Sequence, residues 1–197
     1  MNSIKTKADA LRTKLLDPQK WEDKARQLFR AASVFEGLVH NYWTLSSQER
    51  SCHQAYLSAY LMLSGFAVEN VLKAIIVAKQ HEVLLQKFEQ KQKLPNILQT
   101  HDLVSLFKEA GLSTNGKNTI GLFKRLTRCL TWESRYPIPL RPEQYHGKDT
   151  FSIGPGFITL TAFSDADLQN VRALFEGMLE VLKKTTKKIP ITEAPHS

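Results

Sequence analysis

The sequence predicts an all-helical protein that carries one small β-hairpin. Apolar residues recur at intervals of three and four through most of the chain, and capping residues open and close those runs. Two-residue alternation is confined to the stretch around Gly154-Pro155-Gly156. With 197 residues and 42% apolar content, the chain is long enough for one substantial core and short for two. It therefore reads as one domain over residues 1–197, with its core from about 18 to 185.

Residues 1–16 read as a short amphipathic extension through Ala8, Leu11, Leu15 and Leu16, of the kind that frays. Asp17 followed by Pro18 is an N-cap with proline at the first helical position. From there a helix to about Tyr42 places Trp21, Ala25, Leu28, Phe29, Ala32, Phe35 and Val39 on one core-facing stripe. Ser46 or Ser47 caps the next helix, whose helical periodicity runs to about His81 or beyond. Residues 82–99 turn polar and include Pro95, so they read as a fraying helix end and an exposed connection.

Thr100 is the expected cap of a short helix with Leu103, Leu106 and Phe107 on its apolar face and Gly111 as its stop. A further helix, about Thr119 to Trp132, sets Ile120, Phe123, Leu126, Thr127 and Leu130 against a basic side made of Lys124, Arg125 and Arg128. Proline and charge between Tyr136 and Thr150 imply irregular backbone, and residues 151–161 form the expected hairpin. Ser164 with Asp167 at the third helical position opens the last helix, whose apolar set is Leu168, Val171, Leu174, Phe175, Met178, Val181 and Leu182. Residues 189–197 read as a flexible tail.

The long central helix holds one tight polar cluster, Glu69, Asn70 and Lys73, inside an otherwise apolar run. Glu69 stands four residues before Lys73, the favourable orientation for an ion pair on one helical face. Such a pair either fixes how the helix docks or lines a polar cleft.

The formal charge of +8 favours polyanionic partners, RNA or nucleotides among them, although part of it lies in Lys183, Lys184, Lys187 and Lys188 at a helix end. Cys52 and Cys129 lie far apart without metal-ligand spacing, which suggests reduced thiols, a cytoplasmic location and no zinc site. The N-terminus has no apolar secretory core. A membrane span is not expected, because Glu69 and Lys73 interrupt the one stretch that approaches the required length. No phosphate loop, nucleophile elbow, HExxH or dinucleotide fingerprint occurs, and neither cofactor nor metal is expected.

Three segments in order, GFAVENVLKAII, HDLVSLFKEAG and ESRYP, resemble the HEPN (higher eukaryotes and prokaryotes nucleotide-binding) superfamily, in particular its nucleotidyltransferase-associated branch. The family's Glu and Lys on a long helix match Glu69 and Lys73; its His-Asp-Leu matches His101, Asp102 and Leu103; its Arg-Tyr-Pro matches Arg135, Tyr136 and Pro137. The resemblance covers roughly residues 50–185. It implies an antiparallel up-and-down bundle of four to five helices, a homodimer with a groove between protomers, and a nucleotide- or nucleic-acid-associated role. A nucleotidyltransferase or an antitoxin is the implied protein partner.

Catalytic HEPN RNases, found in toxin–antitoxin and antiphage defence systems, use an Arg and a His four to six residues apart at the dimer groove. Arg141 and His146 meet that spacing, with Arg to stabilise charge on phosphorus and His to move protons at the 2′-hydroxyl. Pro137, Pro139, Pro142 and Gly147 surround them, which makes a poorly fixed mount, and a solvent-exposed insertion is the plainer reading. Arg135 and Tyr136 suit phosphate contact and base stacking, with Lys124, Arg125 and Arg128 extending a positive face. Equally, Arg135 and Tyr136 suit the end of a helix stopped by Pro137. His101 beside Asp102 reads as a locally bonded residue in a helix's first turn. The expectation is a binding module without strong catalysis of its own; the alternatives are a metal-independent RNase using Arg141 and His146, and a purely structural interaction module.

Overall fold

The computed structural model describes residues 13–91, 93–113, 117–133, 150–153, 156–159 and 163–187. Helices dominate them. In chain order they are α1 (Pro18–Val39), a 3-10 turn (Tyr42–Thr44), α2 (Ser47–Lys91), α3 (Asn96–Gln99), α4 (Leu103–Glu109), α5 (Lys117–Arg128) continuing into a π turn (Cys129–Glu133), and α6 (Asp165–Thr186). Two short strands, β1 (Thr150–Ile153) and β2 (Gly156–Thr159), pair antiparallel with Phe151 opposite Ile158.

The centre is α2, which α1, α4, α5, α6 and the π turn all contact. Along its middle, Ala67, Val68, Val71, Leu72, Ala74, Ile75, Ile76 and Val77 are fully buried. Only Asn70 keeps partial exposure within that stretch, as expected of a helix enclosed on nearly all sides. One apolar window of α2 is long enough to cross a membrane, and 78% of it is buried by the rest of the protein. Burial of that run within the fold satisfies its hydrophobicity without lipid.

Flanking helices dock through the stripes their sequences set out. On α1, Asp17 accepts a hydrogen bond from the Gln19 amide, and Ala25, Phe29, Ala32 and Val39 are buried. Phe29 stacks on Phe175 of α6 with ring centroids 4.1 Å apart. Beside that stack, Arg172 of α6 donates two hydrogen bonds to Glu36 of α1. The bidentate geometry raises the guanidinium pKa further above its ordinary value, chiefly through the hydrogen bond to Glu36. Leu168, Val171, Phe175, Met178 and Leu182 complete the buried face of α6.

Four local expectations are corrected. Segment 82–99 is an exposed connection only in part: past a non-helical Gln80 (φ −123°, ψ 25°) α2 continues to Lys91, and Leu84, Phe88 and Leu98 are buried. The cap of α4 is Asp102, whose carboxylate accepts from the Val104 and Ser105 amides, while Thr100 accepts from the amide of Asp102. The fifth helix begins at Lys117 and turns to π geometry at Cys129. Finally, Arg125 lies in the interior of the protein instead of on the wet side of α5.

The break at Gln80 has a local use. Lys79 donates to the Ala110 carbonyl at 2.7 Å and Gln80 to the Glu109 carbonyl at 3.1 Å. These two side chains satisfy carbonyls at the end of α4, where the helix has run out of its own donors. Gly111 then leaves that helix with φ +61°, a conformation that costs glycine little.

Candidate functional site

Glu69 and Lys73 sit one turn apart on α2, and each side chain is almost wholly buried, at 5% and 4% exposure. Lys73 Nζ lies 2.6 Å from Glu69 Oε1. The other carboxylate oxygen, Oε2, lies 2.8 Å from His101 Nδ1, 32 residues further along the chain. An ionised carboxylate only accepts, so the Nδ1 position carries the donated proton. Glu69 is thereby clamped between two donors, which disposes of most of the cost of burying its charge.

The clamp extends in both directions. Lys73 Nζ lies 5.6 Å from the centre of the Trp21 ring, and the Trp21 indole N–H donates to the Leu15 carbonyl at 2.8 Å. That contact adds a cation–π attraction and ties the start of α1 to the pair. Phe66, one turn before Asn70 on α2, meets the His101 ring edge-on at 6.1 Å. Asn70 itself is occupied locally, donating to the Phe66 carbonyl at 2.7 Å. His101 stands in the turn before α4, held by the Thr100 and Asp102 hydrogen bonds that shape that turn.

The imidazole is 48% exposed, whereas its carboxylate partner is buried. A buried acid that fixes a tautomer and ring orientation leaves Nε2 as the working nitrogen, able to accept or pass a proton or to bond a ligand. Among the described residues no Ser, Cys or Lys forms a hydrogen bond to that ring, so the arrangement offers an oriented imidazole without an activated nucleophile. No group of three or more His, Cys, Asp or Glu suitable for a metal ion occurs among the described residues.

A second buried ion pair explains Arg125. Its guanidinium bonds Asp167 at the start of α6, with 7% and 10% of the two side chains exposed, and lies 5.5 Å from the Phe163 ring centre. Asp167 also accepts from the Ser164 amide at 3.0 Å and hydroxyl at 3.2 Å. One carboxylate thus caps α6 and anchors α5 to it. Arg125 is therefore an interior residue at 6% exposure, with its Nε buried and without a hydrogen-bond partner among the described residues. Of its two basic neighbours, Lys124 is exposed and Arg128 is half-buried.

Other placements can be stated briefly. Arg135, Tyr136, Arg141 and His146 lie outside the described residues. Glu69, Lys73 and His101 converge; Lys124, Arg125 and Arg128 belong to a different region, on α5. The contribution of Trp21 was not legible, because a tryptophan on an apolar stripe carries no mark of what cation it will cover. The link from His101 to Glu69 had one signal: both belong to the segments that carry the family resemblance.

No protein-family model, curated protein or solved structure matches this chain. What the geometry itself defines is a helical protein with a buried Glu-Lys pair that orients a half-exposed histidine.

Proposed function

We propose that the chain is a HEPN-like nucleotide- or nucleic-acid-associated binding module, dimeric and without strong catalysis of its own. In this reading the helices form an antiparallel up-and-down bundle with the β1–β2 pair as a hairpin insertion, and the protein works in the cytoplasm. A nucleotidyltransferase or antitoxin partner belongs to the same proposal.

One observation carries it. Two of the three segments on which the resemblance rests, distant in sequence, meet at a single point where Glu69 bridges Lys73 and His101. A purely structural helix pair has no need of a buried ion pair bonded to a half-exposed imidazole, since apolar packing of similar volume is often as stable. The net charge of +8 adds the long-range attraction that a polyanion partner would feel.

Binding of a fluorescent single-stranded RNA, followed by anisotropy across a salt series, tests the proposal. The expected result is an affinity that falls log-linearly with salt, because phosphate contacts release counterions, and that weakens in Lys124→Ala and Arg135→Ala. An affinity independent of salt, or no binding at low salt, refutes it. The same RNA should be recovered intact; cleavage by the wild type that disappears in His146→Ala would replace the binding reading with the RNase one.

A further inference from the structure

Away from the Glu69 centre, the first turns of α2 and the 3-10 turn before it enclose an open groove of about 600 Å3, lined by Tyr42, Trp43, Ser47, Arg50, Ser51 and Gln54. The volume falls within the ~300–1,000 Å3 typical of small-molecule sites. Its lining follows from helical spacing: positions 47, 50, 51 and 54 share one face of α2. Further along, the same face continues through Leu57, Leu61 and Val68, all buried. Where it meets Tyr42 and Trp43 the face turns wholly polar, so the aromatic pair has no apolar partner across the groove.

The aromatic side is held in place. Tyr42 is buried, its hydroxyl bonds the Gln54 amide oxygen, and Trp43 meets the Tyr42 ring edge-on at 5.3 Å. On the polar side Gln54 is engaged, by the Tyr42 hydroxyl and by Ser58, and Arg50 is not. Arg50 is half-buried, yet among the described residues its guanidinium has neither hydrogen bond nor ion pair. The nearby acid Glu49 is engaged by the Ser46 amide and hydroxyl at 2.9 and 2.6 Å. None of the six lining residues is acidic. The groove therefore combines a fixed aromatic wall, an unneutralised guanidinium and the hydroxyls of Ser47 and Ser51. Together these are complementary to a planar ring that carries an anion: the ring stacks on an aromatic face, and the anion takes Arg and hydroxyl donors.

We infer that this groove is a binding site for a nucleoside monophosphate unit, with Trp43 facing the base and Arg50, Ser47 and Ser51 donating to the phosphate. The unit comes either from a free mononucleotide or from the 5′-phosphorylated end of an RNA chain. The inference stands on the groove's own geometry and not on the salt-dependent RNA binding proposed above.

Calorimetric titration of the full chain with adenosine 5′-monophosphate, and with a 5′-phosphorylated RNA trinucleotide, tests it. At least one probe should bind, with affinity at least ten-fold weaker in Arg50→Gln and in Trp43→Ala, and adenosine lacking the phosphate should bind at least ten-fold more weakly. Trp43 packs against the core, so Trp43→Ala could disturb folding; Ser51→Asp is the second variant. Ser51 is exposed, and a carboxylate there places like charge beside the phosphate without touching the core. It should abolish binding while the circular-dichroism melt is unchanged. Preference for the free nucleotide or for the trinucleotide identifies the source. Absence of binding by both probes at millimolar concentration, or affinities unchanged in Arg50→Gln and Ser51→Asp, overturns the inference even if salt-dependent RNA binding through other residues persists.

Discussion

Replacing Lys73 with methionine tests whether Glu69 is held as the structure describes. Methionine keeps the unbranched chain and most of the volume but removes one of the two donors clamping a carboxylate that is 5% exposed. Breaking one side of a buried ion pair costs about 3–5 kcal/mol, because the remaining charge is stranded. Glu69 keeps His101 at 2.8 Å, so the lower end, about 3 kcal/mol, is expected. With a urea slope of about 2 kcal/mol per M, the unfolding midpoint should fall by roughly 1.5 M. His101→Ala should cost only about 1 kcal/mol, since that ring is half in water and solvent screens its bond. Substituting both members, Glu69→Met with Lys73→Met, should return stability to within about 1 kcal/mol of wild type, because apolar residues of similar size replace a desolvated pair at little net cost. The assay is equilibrium urea unfolding of all four proteins, followed by far-UV circular dichroism. The reasoning is refuted if Lys73→Met lies within about 0.5 kcal/mol of wild type, or if the double variant is as unstable as the single one.

Four further outcomes follow from other sites. Asp167→Ala strands Arg125 and uncaps α6 together; a loss of about 3–5 kcal/mol, read as a melting temperature lower by roughly 10 °C, is expected. Gly65→Ala brings a new Cβ to 3.0 Å from Leu130 Cδ2 and 3.1 Å from Cγ, so overpacking should outweigh the helix-propensity gain, for a net loss near ~1 kcal/mol in urea unfolding. Gly177→Ala meets nothing within 4 Å inside α6 and should raise stability by about 0.5–1 kcal/mol in the same assay. Glu49 is held below the usual carboxylate range, first by the Ser46 hydroxyl and then by its amide. A carboxyl whose pKa is depressed on folding stabilises above its unfolded value, and that contribution is lost as pH falls through the lower folded value. Stability measured across this acid window should therefore vary less with pH in Glu49→Gln than in wild type.

Burial also acts on Tyr60, whose hydroxyl points to the Leu168 carbonyl at 3.5 Å. Loss of hydration, then the nearby Glu36 charge, raises its pKa above the ordinary tyrosine value. Tyr60 therefore stays neutral where a solvated tyrosine begins to ionise. This matters for packing more than for chemistry, because a neutral phenol lets α2 and α6 close against each other.

The sequence by itself determined the helical class and the inward faces of α1 and α6. Period and capping are local properties: Asp17-Pro18, the Ser164–Asp167 pair and the stripes of α1 and α6 act within a few residues, so no distant partner was needed to read them. The Glu69–Lys73 contact was legible for the same reason, at one helical turn. Tertiary structure alone decided what those residues meet. Arg125 reads as solvent-facing on its own helix and is buried because Asp167, 42 residues later, arrives beside it. Segment 82–99 is polar in composition, yet Leu84 and Leu98 join the apolar core and Phe88 is buried, which periodicity over so short a stretch does not announce. The joining of His101 to Glu69, and the placing of Trp43 and Arg50 on one groove, likewise depend on how α2 lies against the turns around it. Hydrogen bonds and ion pairs need contact within a few ångströms, and a linear pattern fixes such distances only between residues of the same helix.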